Sequence, residues 1–352
     1  MDGLREGSRI AMGSLPGLDP VSAVQTQLRA FPEIPAWPQL PKKSPKEQMT
    51  RQGLSGLPGL SWPAPDQPVF TLSSWDLSEA LEALKNENLE NRLDRAAFKP
   101  DEASGFFTFL NDPGRFISSH AAAVKGQFIG PVSLGLTLQH ENGTPLLASK
   151  ESMKTLVEYV LMHCRWQSRK LSALRKPVVF FMDEPSLNGR FQPESYGLEW
   201  SEIQGWLTGV FEALQEEGVI TGLHSCGQGP WDWAYELPVE IFHFDAFRHM
   251  PQLLENPEGL RKFIHRGGMV SWGLVPTGMS RGAFPDPAEL FGLWEDAFDT
   301  LLKKRFVREE LIGRSHFSTS CGLGNSSLSV VEEAVRCLGT LVSLWRANIS
   351  LK

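Results

Sequence analysis

The sequence predicts an α/β protein built as a single (β/α)8 TIM barrel with a proline-rich N-terminal extension packed on it. Three observations lead there. Short apolar runs recur without polar alternation, the pattern of parallel strands buried on both faces. Amphipathic helical stretches separate these runs. The 352 residues suit one barrel, a fold that takes about 250 residues and often more. No internal repeat is visible, which excludes a solenoid.

The first expected strand is Ile10–Met12. Pro32, Pro35, Pro38, Pro41, Pro45, Pro58, Pro63, Pro65 and Pro68 follow, too densely for a helix or a central strand. Trp37, Leu40, Leu57, Leu60 and Trp62 interleave with them, and so many apolar anchors argue against a disordered linker. Residues 1–68 therefore read as an N-terminal strand plus an extended segment laid over the body, and 69–352 as the remainder of the barrel. The other expected strands are Val69–Leu72, Gln127–Leu134, Val178–Met182, Ile220–His224, Ile241–Phe244, Met269–Gly273 and His316–Thr319. Apolar residues at helical spacing mark 150–171 (Met153, Leu156, Val160), 200–217 (Leu207, Val210, Leu214) and 329–345 (Val331, Leu338, Leu341) as helices between them.

Composition narrows the function. Lys+Arg 34 against Asp+Glu 41 leaves a net charge of −7, with no basic stripe to follow phosphates, so nucleic acid is not an expected partner. Four cysteines in so long a chain make no disulfide scaffold and fit a reducing compartment. Met1–Arg9 carries Asp2, Arg5, Glu6 and Arg9 and lacks the apolar centre of a secretory signal. No run approaches the roughly 20 apolar residues that span a bilayer. A soluble, cytoplasmic protein with no membrane partner is expected.

A barrel builds its active site at the C-terminal ends of its strands, and unusual polar residues stand there. Gly13 and Ser14 follow the first strand, Asp183-Glu184-Pro185 ends the fourth, and His224-Ser225-Cys226-Gly227 ends the fifth. Asp245 ends the sixth and Ser320-Cys321-Gly322 the eighth. Residues i and i+2 of a strand point the same way, so His224 and Cys226 could bind one ion. Cys321 could supply a third ligand, which suits a catalytic Zn2+ with an exchangeable fourth position. The competing reading is a buried histidine beside a small apolar cysteine. Cys164 and Cys337 lie on helical stripes and read as core filler. His243 and His316 read as structural, His249 as either mouth or surface, and Lys125 as a solvated surface lysine or a site cation. Asp183-Glu184 could be a general acid/base pair, a substrate-amine site or a capping turn. Asp245 could be a metal carboxylate or a helix N-cap.

Together with Gly130-Pro131-Val132 and the opening Gly13-Ser14-Leu15-Pro16, these runs resemble the cobalamin-independent methionine synthase family, as a single-barrel, core-type member. More broadly they resemble the superfamily it shares with uroporphyrinogen decarboxylase and the zinc-dependent thiol methyltransferases of methyl-corrinoid metabolism. The motifs keep the family's order over nearly the whole chain. The resemblance implies a zinc-dependent methyltransferase that moves a methyl group to a thiol, homocysteine giving methionine in methionine biosynthesis. It makes His224, Cys226 and Cys321 zinc ligands and puts Asp245, one methylene shorter than the family's residue, at the place of a ligating carboxylate. It assigns Asp183 to the amino group of homocysteine, Gly13 and Ser14 to the region of its carboxylate, and Glu184 to the same catalytic pocket. Glu47, in Lys46-Glu47-Gln48-Met49, corresponds to a substrate-binding acidic residue.

Two departures from the family bear on the methyl donor. Methionine synthases of full length carry a duplicated barrel, and their folate site draws on both halves. They also place a histidine after the seventh strand, where Ser271–Thr277 has none. Both favour methylcobalamin or a methyl-corrinoid partner protein, whose cobalt leaving group needs no proton. The alternatives are a uroporphyrinogen decarboxylase-like lyase, a corrinoid-dependent coenzyme M methyltransferase, and a corrinoid- or thiol-binding protein without turnover. The lyase would need arginines for substrate carboxylates, and Arg5, Arg9, Arg29 and Arg51 are scattered.

Overall fold

Nine strands run along the described part of the chain: β1 (Leu60–Ala64), β2 (Gln67–Phe70), β3 (Val124–Ile129), β4 (Gln139–His140), β5 (Val178–Asp183), β6 (Ile220–Ser225), β7 (Ile241–Phe244), β8 (Met269–Val275) and β9 (Ser315–Thr319). The structure is a computed structural model and describes residues 4–17, 19–64, 67–71, 74–111, 117 and 121–349. Met1–Gly3 of the expected non-signal N-terminus, Pro65, and Leu72 of the expected strand Val69–Leu72 lie outside the described residues.

Strands β3-β5-β6-β7-β8-β9 form a six-stranded sheet in that order, and every pairing in it is parallel. With twelve α-helices among the described residues, the fold is α/β. Local chemistry explains where the helices start. Asp19 Oδ2 accepts from Ser22 N at 2.9 Å and caps Pro20–Ala30, which has proline in its first turn. Ser149 caps Lys150–Ser172, and Asp286 caps Pro287–Lys303. Such caps contribute about 1 kcal/mol each. Among the described residues no helix is long and apolar enough to cross a membrane.

The two faces of the sheet carry separate apolar clusters. Phe180, Met182, Leu223, Phe242 and Phe244 pack against the helices in the larger one. Val179, Phe181, Ile241 and Met269 lie in the smaller one, with Ile10, Met12 and Ile34. Strand alternation therefore sends Val179, Phe181 and Asp183 to one face and Phe180 and Met182 to the other.

The expected second strand is misplaced. Val69 and Phe70 pair with β1 and β4 in a small three-stranded sheet, not with the parallel sheet. Its place beside the first strand is taken by part of the proline-rich segment. Parallel bridges join Arg9 to Phe317, Ile10 to Ile34, and Ala36 to Lys125. Ile10 N donates to Phe317 O at 2.9 Å, Ala11 N to Ile34 O at 3.3 Å, and Lys125 N to Pro35 O at 2.8 Å. Proline lacks a donor but keeps its carbonyl, so Pro35 can serve a neighbour that only donates to it. The expected strand Gln127–Leu134 is also too long. It stops at Ile129, and Gly130-Pro131 opens the helix Pro131–Thr137, with Pro131 in the first turn. Cys164 and Cys337 are buried on their helices as expected, and burial raises both thiol pKa values, that of Cys337 to about 11.

Candidate metal centre

Strand ends β6 and β9 bring two cysteines and a histidine together. Along β6 the residues Ile220, Gly222 and His224 share one face by alternation. Gly222 has to be small, because a Cβ there would fall 2.0 Å from the Phe181 ring. Cys226 lies just beyond β6 and Cys321 just beyond β9. The ligand atoms of His224, Cys226 and Cys321 all lie within 4.8 Å of one another. Cys321 Sγ stands 3.7 Å from His224 Nε2.

The electrostatics are those of a poised thiolate. The Cys226 thiol hydrogen bond, opposed by burial and aided by His224, lowers the pKa of Cys321. The same hydrogen bond raises that of Cys226. Burial lowers the pKa of His224, but its hydrogen bond to Cys321 and the charges of Cys321 and Asp183 raise it by more. The shifts favour negative charge on Cys321 over Cys226.

The cluster opens into a cavity of about 230 Å³ that Met12, Ser14, Gln39, Met49, Asp183 and Asn325 also line. Asp183 pairs in register with His224 across β5 and β6. Burial raises its pKa to about 6, against the charges of His224 and Lys125. Ser14 packs against the loop that follows Cys321: its Oγ accepts from Gly324 N at 3.2 Å and its carbonyl from Leu323 N at 3.0 Å. Gly322 has no room for a side chain, since a Cβ there would lie 2.1 Å from Ser14 Oγ. Lys42 Nζ donates to the carbonyls of Asn325 and Ser326 and ties this loop to the proline-rich segment.

The other expected site residues are placed differently. Gly13 adjoins the cavity without lining it; it has φ +116°, and its carbonyl accepts from Gln27 Nε2. Glu184, one residue past the inward Asp183, turns away from the cavity. It accepts from Val132 N, Ser133 N and Ser133 Oγ at 2.6–2.9 Å, capping the helix Pro131–Thr137. This is the capping alternative for half of the acidic pair. Asp245 caps the helix Ala246–Glu255 through Arg248 N at 3.0 Å and meets Arg248 Nη1 at 2.6 Å. It is not among the three clustered ligands. Glu47 is buried outside the cavity lining, where it accepts from Ser104 and faces Lys43 at 3.6 Å.

Two further residues lie buried beside the site. Lys125 is no surface lysine but wholly buried, with Nζ 3.3 Å from Met12 O and 4.6 Å from the Phe181 ring centroid. His243 is fully buried and in contact with His224, Nδ1 to Nδ1 at 2.6 Å. Only register could have shown this pairing, because His224 and His243 are neighbours across β6 and β7.

The donor set fits a zinc ion. Tetrahedral Zn2+ with Zn–S of about 2.3 Å and Zn–N of about 2.0 Å holds its ligand atoms roughly 3.5–3.8 Å apart. The observed spacing of 3.7 Å between Cys321 Sγ and His224 Nε2 is of that size. Two soft sulfurs and one imidazole select zinc over magnesium or calcium.

No protein-family model matches the chain, and no curated protein matches it. Among solved structures, a B12-independent methionine synthase from Shewanella sp. W3-18-1 in complex with selenomethionine is similar over 69% of this chain and 68% of its own, at 18% identity and TM-score 0.49. The GH20 catalytic modules of a pneumococcal exo-β-D-N-acetylglucosaminidase are similar over 97% of this chain and 84% of theirs, at 12% identity and TM-score 0.49. At such values neither likeness assigns a function, and the functional reading rests on the site itself.

Proposed function

We propose that this protein is a zinc-dependent S-methyltransferase whose acceptor is a small amino-acid thiol, homocysteine giving methionine. The observation that carries the reading is the convergence of His224, Cys226 and Cys321 on a cavity that also holds the buried Asp183. The reading takes the parallel bridges at Arg9, Ile10, Ile34 and Ala36 as closing the six strands into an eight-stranded barrel, with two short stretches of residues 1–68 as its added strands. The cavity then opens at the strands' C-terminal ends, where barrel enzymes work.

A Zn2+ ion held by the three residues would present the acceptor sulfur as a thiolate, the nucleophilic form that a thiol of pKa about 8.5 scarcely reaches unaided at neutral pH. The chain's own groups do the rest. Asp183 receives the acceptor's ammonium by charge-assisted hydrogen bonds. Ser14 and the Gly322–Asn325 loop face its carboxylate, and Met12 and Met49 enclose its methylenes. The sulfur lone pair forms the new S–C bond as the donor–methyl bond breaks, and that electron pair leaves with the donor. Ser271–Thr277 offers no histidine to protonate a leaving nitrogen. This favours methylcobalamin or a methyl-corrinoid protein over a folate. A thiol-based centre also suits a reducing, cytoplasmic setting.

A coenzyme M methyltransferase would share the centre but has no ammonium for Asp183 to hold. For the lyase alternative, several substrate carboxylates would need cations, and among the described residues no arginine lines the cavity. The test is metal analysis joined to a methyl-transfer assay crossing homocysteine and coenzyme M with methylcobalamin and methyltetrahydrofolate. The reading expects about one zinc per chain, lost in Cys226→Ser and Cys321→Ala, and turnover with homocysteine. A folded protein without zinc affinity would refute it.

A further inference from the structure

We infer that His243 is a positioning residue for the metal centre: it fixes the tautomer and ring orientation of His224 so that Nε2 faces the two sulfurs. The inference rests on the zinc reading above and assigns a role to a residue that the reading does not use.

The geometry runs through four groups on three strands. His243 Nε2 lies 3.0 Å from the carbonyl of Thr319. A carbonyl can only accept, so the proton of that contact sits on His243 Nε2. A metal-bound His224 gives up its Nε2 and keeps its proton on Nδ1, and a 2.6 Å contact between the two Nδ1 atoms has room for one proton only, so His243 Nδ1 carries a lone pair. His224 Nδ1 lies 2.6 Å from that lone pair and must therefore donate to it. What remains on a neutral His224 is a bare Nε2, 3.7 Å from Cys321 Sγ. A metal-bound histidine commonly donates its other N–H to an acceptor that sets tautomer and angle, a role usually filled by a carboxylate, carbonyl or water. Here a second imidazole fills it.

The same relay reaches the cysteine side. Thr319 accepts from His243 through its carbonyl, while its Oγ1 donates to the carbonyl of Cys321 at 2.8 Å. The ring angle of His224 and the backbone that carries Cys321 are thus held by one residue. Gly273 on β8 leaves space for the relay, because a Cβ there would lie 3.1 Å from His243 Nε2 and 2.5 Å from Phe244 O.

Zinc affinity is measured by chelator competition on the full chain as wild type, His243→Phe and His243→Asn, with circular dichroism to establish folding. Phe removes the acceptor, whereas Asn places Oδ1 near the position of Nδ1. Zinc binding is expected to weaken about 10–100-fold in His243→Phe and to recover most of that loss in His243→Asn. Selective ¹⁵N-histidine NMR of the wild type, which requires no variant to fold, should show His243 protonated on Nε2 alone and zinc-loaded His224 protonated on Nδ1. A folded His243→Phe protein within about threefold of wild-type affinity, or a His243 protonated on Nδ1, overturns the inference alone. A wild type that binds no zinc overturns the zinc reading as well.

Discussion

Lys125→Met removes a charge that the fold keeps dry. The ammonium has Met12 O at 3.3 Å, Gln127 Oε1 at 3.4 Å and the face of Phe181 around it, and the side chain is fully buried. Burial lowers its pKa from 10.5 to about 8, with Asp183 opposing the fall. That difference corresponds to about 3 kcal/mol of cost to the folded state at neutral pH. The sign follows from proton binding. Between about pH 8 and pH 10.5 the unfolded chain holds more protons on this lysine than the native one, so native stability rises with pH there. The cost is fully present below that window and fades across it. Urea unfolding of metal-free wild type and Lys125→Met at about pH 7 and about pH 9.5 measures it. The variant should be the more stable at pH 7, by up to about 3 kcal/mol, reduced by the worth of the hydrogen bonds that the ammonium makes. The gap should shrink by about 2 kcal/mol at pH 9.5. A gap that does not change with pH would refute the reasoning, because packing differences between lysine and methionine do not titrate.

Asp183→Asn keeps the shape of the cavity and removes the charge that the proposed function sets against the acceptor's ammonium. It should raise the KM for homocysteine about 10–100-fold, the size of a lost charge-assisted hydrogen bond. Zinc stoichiometry, read by metal analysis, and KM for a thiol without an amine should stay near wild type, and an equal loss for both thiols would contradict the assignment. Gly222→Ala drives a Cβ to 2.0 Å from the Phe181 ring, on the strand that carries His224. Overpacking of this kind should cost about 1–3 kcal/mol, visible as a lower urea midpoint at unchanged m-value.

What could be read from the sequence was what strands encode locally. Alternation and strand ends suffice to bring His224 and Cys226 to one mouth, and the cluster with Cys321 follows from a second strand end. The adjacent carboxylates Asp183 and Glu184 are alike in sequence, but successive residues leave a strand end in opposite directions, so one meets the cavity and the other caps a helix. Register, which is non-local, hid the contact between His224 and His243. Val69–Phe70 has the same local pattern in a three-stranded sheet as it would in a large one. The density of prolines hid the bridges at Ile34 and Ala36, since counting missing donors overlooks the carbonyls that remain. Lys125 was unreadable because a fully buried lysine is rare.

The contacts between Ser14 and Gly324, and between Ile10 and Ser318, join residues 310 and 308 positions apart. A nascent chain displays Ser14 long before Cys321 has been synthesised, and contacts of such separation form late because loop closure precedes any compensating gain. Ser14 and the loop that carries Cys321 therefore meet only once residues through Gly324 have been made. Zinc, if held there as proposed, would then report completed folding.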